Sequence, residues 1–334
     1  MKKTVIIAEA GVNHNGKIDD AIKLVDAAAD AGADIVKFQT FRAQQLTTKR
    51  APLAIYQQSN NEFSQSQYDM LRKLELSEEA HRDLLKHSID KGIIFLSSAF
   101  DLHSLNFIMS LGIKMIKIAS GEITNLPFLR HAATFQVPII LSTGMASMVE
   151  IQNAVNVLEV AGSERSAIIL LHCSTDYPTP MEDVNLKVMS VLKTKFETEV
   201  GYSDHTSGIE VPIAAVALGA KVIEKHITLD RTLSGPDHKA SLEPQEFKFM
   251  VKSIRNIENA LGNGIKRISD NEEKNKLVSR KSIVAAMPIK IGEMFTNKNI
   301  TTKRPGTGIS AIHWDEVVGR ISTKNYSIDE FIGL

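Results

Sequence analysis

Two lysines stand where lysine is hardest to solvate. Lys37 lies inside Ile35-Val-Lys-Phe-Gln39, and Lys117 lies inside Met115-Ile-Lys-Ile-Ala-Ser120. Both runs read as buried strands, so a passive surface charge is the weaker explanation for either lysine. With hydroxyls from Ser98, Ser120, Ser142 and Ser203 they make an anion cradle: lysine supplies full charge, and hydroxyls with nearby backbone amides supply aimed donors. A phosphate or a carboxylate suits that set. His205, in Ser203-Asp-His, and His226, in Glu224-Lys-His, close two further apolar runs. Two imidazoles without cysteine, beside carboxylates such as Glu9 and Asp237, suit Mn²⁺, Fe²⁺ or Zn²⁺ with positions left open for substrate. Taken singly, each histidine reads as a satisfied structural residue; the pairing is what points to metal. His14 and His172 lack such a pairing, and structural hydrogen bonding explains them at least as well. Glu9 and Glu122 are the carboxylates placed for acid–base work or contacts to substrate hydroxyls. Glu9 sits in an apolar run and needs a partner, because an unpaired buried carboxylate costs several kcal/mol. Cys173 reads as a buried inert thiol rather than a nucleophile.

The elements that must position these side chains recur along the chain. Strands are expected near Val5–Ala8, Ile35–Phe38, Ile93–Ser97, Met115–Ala119, Pro138–Ser142, Ile168–His172, Thr198–Ser203 and Val222–His226. Helical periodicity lies between them, as in Ala21, Leu24, Val25 and Ala28. Ser147-Met-Val-Glu150 and Ser207-Gly-Ile-Glu210 read as capping boxes. Gly32, Gly92, Gly112, Gly162 and Gly219 sit where helix C-caps belong. Successive strands begin mostly about 22 to 30 residues apart, the footprint of a strand plus a crossover helix. Eight nearly all-apolar units predict a closed (β/α)₈ barrel, whose active site is built by the loops after the strands' C-terminal ends. Glu9, Lys37, Gln39, Ser98, Lys117, Ser120, Glu122, Ser142, Thr175, Tyr177, Ser203, His205 and His226 all fall at or just after such ends. A polar insertion at 42–75, after the second strand, predicts a lid or substrate loop. Beyond Gly264 the periodicity fades. Residues 266–281 read as a charged linker with some helix, and 282–334 as a small domain of short strands and turns after a barrel at 1–265.

The 334 residues carry 39 Lys+Arg against 39 Asp+Glu. That balance excludes a broad nucleic-acid or anionic-membrane footprint. Hydrophobic residues at 43% leave ample material for a core. No run approaches the roughly 18 apolar residues of a membrane span. The apolar run Val5–Ala8 is too short for a signal segment, and with a single cysteine no intrachain disulfide forms. A cytoplasmic enzyme is expected.

Together the segments IAEAGVNHNG (7–16), VKFQTF (36–41), KIASGEITNLPFL (117–129), ILSTGM (140–145), LLHCSTDYPTP (170–180), GYSDHT (201–206), EKHITLDRTLSGPDHKASLEP (224–244) and KRPGTGIS (303–310) resemble the bacterial N-acetylneuraminate (sialic acid) synthases. The resemblance spans nearly the whole chain, in the family's own order. It implies a (β/α)₈ barrel followed by an antifreeze-like SAF (β-clip) domain, working as a domain-swapped homodimer. The implied reaction condenses phosphoenolpyruvate with N-acetylmannosamine, using a divalent metal, Mn²⁺ first and Mg²⁺ or Co²⁺ as substitutes. By the same resemblance, Lys37 and Ser98 would hold the phosphoenolpyruvate carboxylate, and Lys117, Ser120, Ser142 and Ser203 its phosphate. His205 and His226 would bind the metal, and Glu122 would sit at the reacting carbons. Glu9, Gln39, Tyr177 and Asp237 would contact the sugar, and Arg304 of the partner's small domain would reach its N-acetyl group. Two positions depart from the family: Ser174-Thr175-Asp176 replaces a segment carrying a phosphate-binding Asn, and Ser98-Ala99 replaces Thr-Pro. Within the family, legionaminate synthase is the alternative, acting on a 6-deoxy diacetamido sugar, followed by pseudaminate synthase. A sugar- or ice-binding protein with an inert barrel is disfavoured by the intact cradle and both histidines.

Overall fold

The computed structural model describes residues 3–54 and 66–333. Eight parallel strands close into a barrel: β1 (Val5–Gly11), β2 (Ile35–Thr40), β3 (Ile94–Ala99), β4 (Ile116–Ile118), β5 (Ile139–Ser142), β6 (Ile168–His172), β7 (Glu199–Asp204) and β8 (Val222–His226). Closure is made by β8 against β1, with Val5 opposite Val222 and Glu9 opposite His226. The expected fold is present. β1 and β2 run further than their apolar residues indicate, because Glu9, Gln39 and Thr40 remain in the ladder. The β1–β2 register shifts between Glu9 and Gly11, and Gly11 takes φ 52°. That kink turns the end of β1 around the Glu9 carboxylate.

Helices pack outside, seated by local signals. The Ser147 capping box forms in full: the Ser147 hydroxyl accepts the Glu150 N–H, and the Glu150 carboxylate accepts the Ser147 N–H at 2.8 Å. The Ser207 box does not form. Gly208 adopts φ 81°, so the helix starts only at Glu210, whose carboxylate accepts the N–H of Ile209 instead. Pro212, in the first turn of Glu210–Ala217, has no N–H for a cap to satisfy.

The insertion after β2 contains a single turn at Ala43–Leu46 and the helix Gln67–Leu74, followed by Glu78–Asp90. Met70 and Leu74 pack with Val12 and Phe41 in a small apolar cluster of their own. The rest of the expected lid, 55–65, lies outside the described residues.

The chain divides into two compact units, Met1–Gly262 and Asn263–Leu334. The charged stretch 266–281 belongs to the second and carries the helix Asp270–Ser279, opened by a Ser269/Glu272 capping box. That unit pairs β9 (Ser282–Ala285) antiparallel with β10 (Ile300–Lys303). Its core is built from Ile283, Ile289, Phe295, Ile300, Val317, Tyr326 and Ile332. Among the described residues no helix is long and apolar enough to cross a membrane.

The barrel tolerates no added volume at Gly201 of β7, where a Cβ would fall 2.3 Å from the Val222 carbonyl oxygen and 2.7 Å from Leu171 Cδ2. Gly201→Ala is expected to cost about 2–3 kcal/mol through overpacking, read as a lower urea midpoint at unchanged slope. Gly92, which has open space around its Cβ position, has φ 70°, so Gly92→Ala is expected to cost less, through backbone strain alone. Equal losses at both sites would contradict the tight barrel packing.

Candidate active site

Alternation along the strands decides which side chains meet inside the barrel. On β8, Glu224 and His226 share the inner face, while Lys225 points outward to Asp204 in a pair that is completely buried. On β7, Ser203 faces in with His205. On β2, Lys37 and Gln39 do the same. These residues line a cavity of about 1010 Å³ at the C-terminal mouth of the barrel.

Its floor is a row of alternating charges. Lys37 Nζ lies 2.8 Å from Glu9 and 3.7 Å from Glu224, and Lys117 Nζ lies 3.6 Å from the other oxygen of Glu224. Hydroxyls complete the row. Lys37 donates to Ser98 Oγ at 3.0 Å, Lys117 donates to Ser142 Oγ at 2.7 Å, and Ser203 donates to Glu224 at 3.0 Å. All four charged side chains are less than a tenth exposed. Burial opposes the charge on Lys37, but Glu224 and Glu9 outweigh it and hold the ammonium above its ordinary range. Burial also pushes Lys117 down, with Glu224 opposing and Lys37 adding to the shift. Glu9 is raised chiefly by burial, against the pull of Lys37. For Glu224, burial is overcome by Lys117 and Lys37, which keep it below the usual carboxylate range. Glu224 is the residue that reading the sequence missed. Its signal was the alternation that pairs it with His226.

Above β4–β6 the wall is made of small polar groups. Ser120 Oγ accepts the Gly144 N–H at 3.0 Å and lies 3.3 Å from Cys173 Sγ. Thr175 and Tyr177 line the same side. Burial raises the Cys173 thiol, which is the behaviour of an inert packing residue.

The two histidines face each other with ring centroids 5.5 Å apart, and the Tyr177 ring lies 4.2 Å from that of His205. Burial lowers both, which favours the neutral imidazole that a metal ligand requires. His205 Nδ1 is bonded to the Ser174 carbonyl, which fixes the tautomer and leaves Nε2 as a lone pair. His226 Nδ1 is buried with no hydrogen-bond partner and lies 3.9 Å from Asp237. Burial, with help from Glu9, raises Asp237 to about 7. Among the described residues no group of three or more His, Cys, Asp or Glu is disposed around one ion. The pair therefore suits a cation that takes two protein nitrogens and completes its shell from water and substrate. An orphaned buried nitrogen beside a fixed neutral imidazole fits that group.

The cavity lining includes every expected site residue except Glu122 and Arg304. Glu122 is buried off the wall, where it accepts a 2.6 Å hydrogen bond from Asn125, the N-cap of Leu126–Ala133. Arg304 lies exposed in the second unit. His172 bonds the Val184 carbonyl, and His14 accepts the Gly16 N–H and is lowered to about 4 by burial. Neither lines the cavity.

A (β/α)₈ barrel with a buried double-lysine centre, joined to a small β domain, is the class that fold and site define. The chain matches the NeuB family over residues 24–266 and the SAF domain over 280–333. It belongs to the NeuB family. It is 54% identical to an N,N'-diacetyllegionaminic acid synthase of Campylobacter jejuni, with 99% of each chain covered. It is 47% identical to the N,N'-diacetyllegionaminic acid synthase of Legionella pneumophila, covering 96% of this chain and 91% of that one. A crystal structure of N-acetylneuraminic acid (sialic acid) synthetase from Leptospira borgpetersenii, in complex with citrate, superposes with a TM-score of 0.72. That protein is 36% identical, over 82% of this chain and 90% of its own.

Removing Glu224 takes from Lys117 its carboxylate partner and leaves Lys37 with Glu9 alone, and breaking a buried pair costs about 3–5 kcal/mol. Glu224→Gln is expected to lower Tm and to regain more of it than the wild type does when inorganic phosphate is added. Equal phosphate effects on the two proteins would show that the lysines do not form an anion cradle.

Proposed function

We propose that this chain condenses phosphoenolpyruvate with 2,4-diacetamido-2,4,6-trideoxymannose and water, giving N,N'-diacetyllegionaminate and phosphate. The observation that carries the reaction class is the buried Lys37–Lys117 pair with its serines, facing two neutral histidines across one cavity. The relatives at 54% and 47% identity move the choice of sugar from N-acetylmannosamine, the first expectation, to the diacetamido sugar.

Lys37 and Ser98 would take the carboxylate of phosphoenolpyruvate. Lys117, Ser120, Ser142 and Ser203 would take its phosphate, with Thr175 in place of the family's Asn. Held this way, C3 would be free to face the histidine side of the cavity. C3 forms the new carbon–carbon bond to the aldehyde carbon, and the aldehyde oxygen takes up a proton. Water adds at C2 and gives up a proton. The bond from C2 to the bridging oxygen then breaks, phosphate leaves with the electron pair, and the C2 hydroxyl passes its proton to the departing phosphate as it becomes the keto group. Glu9, Gln39, Tyr177 and Asp237 would orient the sugar. Glu122 would reach the reacting carbons on release of its bond to Asn125. A divalent ion held by His205 and His226, Mn²⁺ first with Mg²⁺ or Co²⁺ as substitutes, would polarise the aldehyde oxygen. The homodimer, with Arg304 of the partner's small domain contacting an acetamido group, is part of the same proposal and rests on the family resemblance.

Phosphate release with phosphoenolpyruvate and Mn²⁺ tests the reading. Higher kcat/KM for the diacetamido sugar than for N-acetylmannosamine is expected. The reverse order would make the chain an N-acetylneuraminate synthase with the same chemistry. No release with either sugar would reject the reaction class. His226→Ala is expected to lose Mn²⁺ binding by calorimetry and at least about 100-fold in turnover at unchanged circular dichroism. Full Mn²⁺ affinity in that variant would remove His226 from the metal site.

A further inference from the structure

The cavity has two chemically distinct halves. Among the described residues, the charged lining groups belong to the floor, to the β7–β8 side and, as Asp176, to the loop after β6. Above β1–β3 the described wall is mostly apolar, with Val12, Met70, Leu71, Leu74 and Phe100 beside Ala54 and a single amide, Gln67. Three of the apolar residues come from one helix, Gln67–Leu74, which the insertion lays across the mouth. The helix is seated against the loop after β1 so closely that a Cβ on Gly16 would fall 2.2 Å from the Lys73 carbonyl oxygen. At its N-terminal end Ser66 caps it by accepting the Asp69 N–H. Each of the two amides on this side is bonded through one atom. Gln39 donates to Glu9 at 3.0 Å, and Gln67 Oε1 accepts from Thr47 at 3.1 Å.

Glu9 and Gln39, the proposed sugar contacts on β1 and β2, line the cavity together with Met70, Leu71 and Leu74, so the far end of a sugar bound there would extend under this helix. We infer that the inner face of Gln67–Leu74 is the specificity element of the site, selecting an acceptor whose C6 is a methyl group over one whose C6 carries a hydroxyl. The inference rests on the proposed condensation reaction and adds to it the residues that choose the sugar. A C6 hydroxyl against Met70, Leu71 and Phe100 gives up its water without gaining a partner. A C6 methyl loses nothing and gains apolar contact. An apolar pocket discriminates by factors of about 10 to 200 for one such group, because it lacks the polar contacts that sharper rejection needs.

N-acetylmannosamine and its 6-deoxy analogue differ at this one position and isolate the wall from the acetamido group at C4. The wild type is expected to use the 6-deoxy analogue with kcat/KM about 10- to 100-fold higher. Leu71, half-buried on the lining, is the position to change. Leu71→Asn is expected to bring the two sugars within about threefold of each other, with KM for phosphoenolpyruvate unchanged, because the wall then offers a partner to the hydroxyl. Leu71→Met is expected to keep the wild-type ratio. A wild-type ratio near one would overturn the inference. So would a Leu71→Asn variant in which both sugars fall equally. In either case the condensation reading stands if the diacetamido sugar still releases phosphate. Absence of release with all three sugars would reject that reading and the inference together. Should Leu71→Asn fail to fold, the wild-type ratio alone decides.

Discussion

Four buried charges in the order Glu9, Lys37, Glu224, Lys117 constrain the rest of this barrel. Moving any one of them from water into the protein is costly, and each is retained only because its neighbours carry the opposite sign. The strands must therefore hold four side chains from β1, β2, β4 and β8 in register to within a few tenths of an ångström. The closed ladder, the β1 kink at Gly11 and the tight approach at Gly201 are the means. The same arrangement prepares the site for an anion. The ammonium groups are already desolvated and aimed, so little reorganisation is left for the moment of binding.

A second constraint is the separation of polarity across the cavity. The charged floor and neutral histidines occupy the side where bonds would change. The helix Gln67–Leu74 supplies an apolar roof over β1–β3, fixed by its packing on Val12 and Phe41. Buried imidazoles and a partly roofed mouth belong together physically. Both lower the local dielectric, which strengthens every interaction with the charged floor.

Most of the barrel was legible because its strands are nearly uninterrupted β-branched runs and its helices have regular stripes. The site was legible for the same reason: a lysine inside such a run has nowhere else to point. Glu224 escaped because Glu224-Lys-His226 resembles a solvated strand end, and only strict alternation separates the inward Glu224 from the outward Lys225. The Ser207 box was expected and does not form, because its pattern matches while Gly208 turns the chain before the helix can begin. Glu122 falls at a strand end by spacing, yet a 3₁₀ turn at Ser120–Glu122 carries it off the wall to Asn125. The apolar roof was the least legible part. It exists only when an insertion after β2 meets loops from β1 and β3, a contact that local periodicity does not encode.

The central claim is that the lysine cradle serves condensation in which phosphate leaves by cleavage of the carbon–oxygen bond. Phosphoenolpyruvate carrying ¹⁸O at its bridging position tests this directly, with the diacetamido sugar and Mn²⁺ present. The expected result is that all of the label leaves in inorganic phosphate and none is found in the sugar acid. Label retained at C2 of the product would mean that water attacks phosphorus instead, and would contradict the account.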